Sequence, residues 1–335
     1  MAIAASVVVP THNRPHLLTQ CLRALMSQAP DTPPYEIIAV DDASTDDTGE
    51  QLSRLAQECG FLRPVRHEVN KGLSGARNTG VRLAQGKIVI FVDDDIVVEP
   101  NYIAEHLRLH SAAGEQRIAV VGNLTLPEST TGASNCARYV QSRYIGERAG
   151  REGSHQDPQA LHPRFLGGGI HSVRKDDLIA VGMFDESVRF YGYEDHIYAE
   201  SLHQAGVTIV FAPQAKAVHL DPVSVGWYRS KMLEAGRSGL PLLREKCPGF
   251  VSQTALALLL PIDWSRDRGQ KMLRKLALRW TLNPLTVWLL ERWAVATDHL
   301  PQLYSGTIYR ALNAGWLLQG QRLRPGHHSL VRYGG

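Results

Sequence analysis

The sequence predicts an α/β fold, with a mostly parallel central sheet flanked by helices and a helical extension behind it. Three observations carry this expectation. Short β-branched runs alternate with segments of helical apolar spacing through the N-terminal part, the pattern of βαβ units. Polar clusters follow three of those runs directly, at the carboxyl edge where such sheets bind ligands. From about residue 224 the alternation stops and the chain reads as helix, which divides it into 1–223 and 224–335.

The elements follow in order. ASVVVP (5–10) is a strand ended by Pro10. RPHLLTQCLRALMSQ (14–28) places Leu17, Leu18, Cys21, Leu22, Leu25 and Met26 at helical spacing. YEIIAVDD (35–42) is a buried strand ending in acids, and STDDTGEQLSRLAQECG (44–60) is a helix with a Ser/Asp start and a Gly stop. LRPVRHEV (62–69) is a weaker strand, SGARNTGVRLAQG (74–86) a third helix and KIVIFVDDD (87–95) a fourth strand. IAVVGNLTL (118–126) reads as strand, whereas 127–163 is polar and gives no assignment. FLGGGIHSVRKDDLIAVGMFDES (165–187) gives a strand, a glycine-rich bend and a short helix. YEDHIYAESLHQAG (193–206) is an amphipathic helix, and VTIVFAPQAKAVHL (207–220) reads as two short strands.

At 335 residues, 44% hydrophobic and 21% charged, the chain has ordinary globular composition. Cys21, Cys59, Cys136 and Cys247 show no zinc spacing and read as reduced thiols of a cytoplasmic protein. The N-terminus lacks a basic n-region, so no signal peptide is expected. The longest clean apolar run, ALALLL (255–260), is too short to span a bilayer. The net charge is only +3, yet residues 264–335 carry eleven Lys/Arg against three acids. That asymmetry points to an anionic partner. No nucleic-acid-binding motif accompanies it, which favours the inner face of the plasma membrane. LRKLALRWTLNPLTVWLLERWAV (273–295) holds apolar and basic residues at helical spacing. Trp280, Leu289 and Trp293 then either face anionic headgroups or pack on the N-terminal part or on another subunit of a homo-oligomer.

FVDDDIVVEPN (91–101) puts three carboxylates after a strand. By itself this is a solvated turn or a divalent-cation site. Alternate residues of an extended chain point the same way, so Asp93 and Asp95 can face one pocket. KGLSGAR (71–77) combines backbone N–H groups, a helix start and a guanidinium, a set suited to a diphosphate; alternatively Arg77 pairs with Asp42 or Asp93. Glu194 and Asp195 open a helix, where acids gain about 0.3–1 kcal/mol each from the dipole. That gain accounts for acids in general but not for their place after GMFDES.

VVVPTHNRP, VDDASTDDT, NKGLSGARNTG, FVDDD, GMFDES and GYEDHIYAESLHQAG occur in this order over residues 5–220. Together they resemble the family 2 glycosyltransferases of the GT-A fold, which move a sugar from a nucleoside diphosphate to an acceptor, usually with inversion and a divalent metal. The resemblance implies Mn2+ or Mg2+ held by Asp95, with Asp93 on the metal or the ribose and His219 completing the site. It implies a nucleotide-sugar pocket formed by Pro10, Thr11, Asn13, Asp42, Gly72, Arg77, Asp93, Asp94 and Gly168. Asp42 would take the pyrimidine N–H, favouring a UDP- or dTDP-sugar, and Asp41 would serve the strand end. Asp195 would be the general base, with Glu194 orienting it or binding acceptor. Gly167, Gly168 and Gly169 would let backbone approach the donor sugar, whereas Ile170 departs from the small polar residue found in relatives. The acceptor would be a glycan or a lipid-linked glycan of cell-envelope synthesis. No QxxRW signature is clear and no membrane channel can form, so single addition is expected. Two other enzyme classes fit less well. A dehydrogenase would carry GxGxxG where this chain has PTHNRP, and a nucleotidyltransferase would carry a glycine-rich basic loop there. A degenerate, non-catalytic nucleotide-sugar or membrane scaffold stays as the alternative.

Overall fold

The structure, a computed structural model, describes residues 2–144, 146, 160–167, 169–189 and 191–323. The first half follows the expected alternation: β1 (Ala5–Thr11), α1 (Pro15–Met26), β2 (Tyr35–Asp41), α2 (Thr48–Glu58), β3 (Leu62–Arg66), α3 (Gly72–Leu83) and β4 (Ile88–Val92). β5 (Ile96–Val98), α4 (Tyr102–Ala112), β6 (Ile118–Thr125), α5 (Glu128–Ala133), α6 (Asn135–Gln141) and β7 (Ala160–Leu161) come next. β8 (Ile170–Arg174), α7 (Lys175–Ala180), α8 (Glu194–Gln204) and β9 (Thr208–His219) complete the sheet region. The rest is helical: α9 (Val225–Glu234), a π-turn (Ala235–Gly239), α10 (Leu240–Lys246), α11 (Pro248–Gln253), α12 (Leu256–Leu259), α13 (Gly269–Thr281), α14 (Pro284–Thr297) and α15 (Gly306–Gly320).

The strands form one sheet of order β3-β2-β1-β4-β8-β6-β9-β5, and β7 pairs with β9. β3, β2, β1 and β4 are parallel, as the βαβ pattern requires. β1 and β4 are buried along their whole length, which is why they read as continuous apolar runs. β3 sits at the edge with mixed exposure, hence its weaker pattern. Beyond β4 the sheet is mixed: β8 runs antiparallel to both β4 and β6, and β9 runs parallel to β6.

Two local expectations change. Residues 207–220, read as two strands, make the single β9, whose register against β6 jumps from Ala212 to Lys216. Pro213 cannot donate to a ladder, so the irregularity falls beside it. α2 starts at Thr48 rather than Ser44, because the Asp46 carboxylate takes the Thr48 N–H at 3.0 Å and holds 44–47 as a turn.

The apolar interior divides in three, the smallest cluster joining Val188 and Ile197 to Leu243, Phe250 and Val251. One core surrounds the sheet. Another joins α9, α14 and α15 through Tyr228, Val287, Tyr309 and Trp316, and also takes Tyr139 and Val140 from α6. Asp298, just past α14, fixes that docking. It accepts from Ser134 Oγ at 2.8 Å, from the Cys136 N–H at 2.8 Å and from Tyr309 Oη at 3.1 Å. The helical part therefore reaches back onto residues before β8. Among the described residues no helix is long and apolar enough to cross a membrane.

Candidate active site

β4 ends at Val92, and its next three residues are the carboxylates. Their closest partners differ, although Arg14 Nη1 also reaches Asp94 at 3.5 Å. Asp93 accepts from Arg77 Nη2 at 2.9 Å and from the Gly169 N–H at 3.1 Å, while its own N–H donates to the Gly169 carbonyl at 3.2 Å. A Cβ on Gly169 would lie 2.2 Å from the Asp93 nitrogen. The glycine bend thus serves the approach of β8 to Asp93. Asp94 is buried and accepts from Thr11 Oγ1 at 2.7 Å. Asp95 accepts from Arg14 Nη1 at 2.7 Å and faces His219 Nε2 at 3.4 Å.

The electrostatics separate the last two. Burial, with Asp95 alongside, pushes the Asp94 carboxyl up to about 8. Burial also disfavours the Asp95 charge, but the His219 contact and the Arg14 guanidinium outweigh it and hold Asp95 well below the usual carboxylate range.

His219 closes β9, and Asp221 follows two residues later. Asp95, His219 and Asp221 each turn a ligand atom to one place, all within 4.8 Å of one another. Two carboxylates and one imidazole suit Mn2+, and Mg2+ would use the carboxylates with phosphate and water oxygens. Arg14 supplies the positive charge at this spot, with a further contact to Asp221 at 3.5 Å. The residues present therefore fit a divalent cation.

Across the cavity, α8 begins at Glu194 after Tyr193, which adopts φ +70°. Such a conformation costs a non-glycine residue on the order of 1–3 kcal/mol and needs external support. The π-turn provides it. Gly239 packs so tightly that a Cβ would lie 2.5 Å from the Gly192 carbonyl and 2.9 Å from the Tyr193 ring. The helical part thereby braces the turn that aims Asp195. Asp195 accepts from Arg77 Nη1 at 3.0 Å. Glu194 accepts the Gly192 N–H at 2.9 Å, and burial, with Asp195 next to it, raises its carboxyl to about 7.

One cavity of about 830 Å3 is lined by Pro10, Arg77, the three aspartates, Glu194, Asp195 and His219. Ile170 lines it too, so the departure at that position faces the site. Thr11 acts from behind through Asp94. Asn13 ties the β1 end to the β2 end, taking the Thr45 N–H at 2.8 Å. Asp42 accepts from His67 Nδ1 at 2.7 Å and from the Lys71 and Gly72 N–H groups at 2.8 Å each. A carboxylate has about four acceptor directions, so one is left. Asp41 stays with the strand end, accepting from Ser44 and Arg66. Gly168 lies outside the described residues.

Three site residues escaped the sequence reading. Arg14 looked like a helix start. Asp221 stood outside every motif, although its HLD spacing to His219 could have flagged it. Lys231 comes from α9, in the part read as separate. Its ammonium lies 3.8 Å from the centre of the Trp227 ring and 4.8 Å from that of Tyr191, and burial lowers its pKa.

Residues 6–147 match the family model described as Glycosyl transferase family 2. The uncharacterized glycosyltransferase YfnE of Bacillus subtilis is 24% identical over 257 residues, covering 64% of this chain and 64% of that protein. The poly(ribitol-phosphate) beta-glucosyltransferase of Bacillus spizizenii is 36% identical over 91 residues, 27% of this chain and 14% of that protein. The Escherichia coli chondroitin synthase is 24% identical over 273 residues, 73% of this chain and 38% of that protein. The chain thus spans at most 64% of the length of these curated relatives. Among solved structures, the mannosyltransferase PcManGT from Pyrobaculum calidifontis, in complex with GDP-Man and Mn2+, aligns with a TM-score of 0.59 at 18% identity, over 96% of this chain and 86% of that one. Residues 1–349 of S. aureus TarS, in complex with UDP, align at 0.53 and 16% identity, over 96% and 90%. At such identities the likeness establishes the fold.

Proposed function

We propose that this chain, which belongs to glycosyl transferase family 2 and has the GT-A fold, moves a sugar from a nucleoside diphosphate to an acceptor hydroxyl with inversion. The observation that carries this reading is the placement of Arg77 between Asp93 of the DDD run and Asp195 at the start of α8, in one cavity. An inverting transfer needs the leaving diphosphate and the proton acceptor on opposite sides of the anomeric carbon. On this reading Asp93 stands with the leaving diphosphate and Asp195 with the acceptor hydroxyl.

Asp195 takes the proton of the acceptor hydroxyl as the new bond to the anomeric carbon forms, and the diphosphate departs with its bonding pair. Glu194 holds the turn before α8 through the Gly192 N–H. Asp95, His219 and Asp221 would hold Mn2+ or Mg2+. When bound, that cation neutralises charge on the leaving phosphates. Arg14 and Lys231 supply the fixed positive charge around the same carboxylates.

The remaining acceptor direction of Asp42 suits a pyrimidine N–H, which favours a UDP- or dTDP-sugar. The acceptor we favour is a glycan or lipid-linked glycan of the cell envelope. Relatives named for poly(ribitol-phosphate) and chondroitin support a polymeric acceptor. The protein works on the cytoplasmic side, and the 224–335 part acts as brace rather than as separate enzyme.

The test is nucleoside diphosphate release from UDP-, dTDP- and GDP-sugars, with Mn2+, Mg2+ or EDTA, alongside donor binding by calorimetry. Metal-dependent release from a uridine or thymidine donor is expected. Failure of every donor to bind with metal present would overturn the reading.

A further inference from the structure

α13 is amphipathic in the inverted sense. Two of its four cations, Lys275 and Arg279, turn into the protein, while Lys271 and Arg274 stay exposed. Lys275 is 2% exposed, and its ammonium donates to Asp267 at 2.5 Å and to the Pro261 carbonyl at 3.0 Å. One turn on, Arg279 donates to the carbonyls of Leu258 at 3.2 Å and Leu260 at 2.5 Å. The apolar residues on the other side point outward: Leu273, Leu276 and Trp280, the last 80% exposed. α14 also exposes apolar side chains. Val287 and Ala294 are buried, while Leu285, Trp288 and Leu289 stand more than half exposed. Trp280 and Trp288 flank the short turn between the two helices. Nothing among the described residues covers this face.

A helix facing water normally shows charge and hides leucine. Here buried ion pairing holds these two cations so that the apolar side is turned out, against the sense of the hydrophobic effect in water. Exposure of several large apolar side chains on two consecutive helices marks an interaction surface.

We propose that the consecutive helices α13 and α14 form the surface by which this protein lies on an anionic bilayer. Four features select that occupant. The surroundings of the face are basic: Arg266, Arg268 and Arg274 are exposed around the start of α13, and exposed Arg292 stands one turn on from Trp288 and Leu289 within the outer side of α14. The acid of α14, Glu291, is tied to Arg229 at 3.1 Å and to the Trp316 indole at 3.0 Å, so it does not offset that charge. Tryptophans at the edge of an apolar patch place an amphipathic ring at headgroup depth. The helices have 13 and 14 residues, about 20 Å each, against a hydrocarbon core of about 30 Å, so they lie in the interface rather than cross it. A second copy is disfavoured, because a two-fold contact through this face would bring its basic surroundings together. The orientation also has a consequence for the cavity. Leu278, on the inner side of α13, lines it together with Leu259 of α12, so α13 stands between the bilayer and this part of the active-site cavity.

The inference stands apart from the transferase reading, because membrane binding is measured without donor or acceptor. The experiment is flotation of the full chain with vesicles of phosphatidylcholine alone or mixed with phosphatidylglycerol, at low and high salt. The wild type should float with the phosphatidylglycerol vesicles and less so at high salt. W280S combined with W288S should weaken binding on the order of tenfold or more. Arg274→Glu should weaken it chiefly at low salt. The unfolding midpoint and donor binding of both variants should stay at wild-type values, since these side chains are exposed. No flotation of the wild type, unchanged flotation of the tryptophan variant, or a wild-type dimer that W280S/W288S converts to monomer would each overturn the proposal.

Discussion

The Arg77 guanidinium joins Asp93 and Asp195, donating to the first at 2.9 Å and to the second at 3.0 Å. Its side chain is fully buried and stacks over the Phe184 ring at 5.2 Å. Removing it strands two carboxylates in the cavity wall. Loss of one partner of a buried ion pair costs about 3–5 kcal/mol. Arg77→Met should therefore lower the unfolding midpoint strongly. Arg77→Lys should recover part of that loss but not the span between the two acids, because an ammonium lacks the guanidinium fork. Denaturant titration of the three proteins checks this.

The proposed cation site carries a prediction of opposite signs. His219→Ala and Asp221→Asn should each weaken Mn2+ binding on the order of 10–100-fold, the range seen even for outer-shell losses. Arg14→Met should do the reverse. It removes a charge that sits 2.7 Å from Asp95, so Mn2+ should bind more tightly and raise the unfolding midpoint more than in the wild type. Calorimetric Mn2+ titration without nucleotide decides it, and unchanged affinity in Asp221→Asn would remove that residue from the site.

A pH dependence follows from Glu194. Its folded-state carboxyl is raised from 4.5 to about 7 by burial, with Asp195 next to it. The folded state thus binds this proton more tightly than the unfolded chain. The contribution is fully present below about 4.5 and is lost as pH rises through about 7. Glu194→Gln removes the titration, so its unfolding midpoint should fall less than that of the wild type between about pH 5 and pH 8. Parallel curves for the two proteins would contradict the assignment.

The brace between the two parts can be broken at one atom. A methyl at Gly239 would meet the Gly192 carbonyl at 2.5 Å. Overpacking of this kind costs about 1–3 kcal/mol and shifts backbone. Gly239→Ala should destabilise the fold and lower kcat through the displaced Tyr193–Asp195 turn. Donor affinity, which depends on residues across the cavity, should change little. Steady-state kinetics with donor calorimetry separates the two effects.

Much of this was legible in the sequence for physical reasons. β1, β2 and β4 are buried on both faces and announce themselves as β-branched runs, and their carboxyl ends carry the polar clusters. The order of six motifs brought Asp93, Asp95 and Asp195 to one family pattern, and the resemblance added His219 near the end of AKAVHL. The parts that did not show depend on tertiary contact. Arg14 is a helix-start residue until β4 and Asp221 are placed beside it. Lys231 belongs to the site only because α9 folds back over the sheet edge. α13 has an apolar–basic period in sequence, yet which side faces out is set by Asp267 and the 258–261 carbonyls that hold Lys275 and Arg279. Period alone carries no such information.

The most direct test of the central claim is Asp195→Asn, compared with the wild type for donor binding and for turnover with metal present. The amide keeps size and hydrogen-bonding reach but cannot accept the acceptor's proton. The account predicts donor affinity within a few-fold of wild type and turnover reduced by about 10²–10⁴-fold. Turnover at the wild-type rate would show that the proton leaves by another route and that the cavity joined by Arg77 works differently.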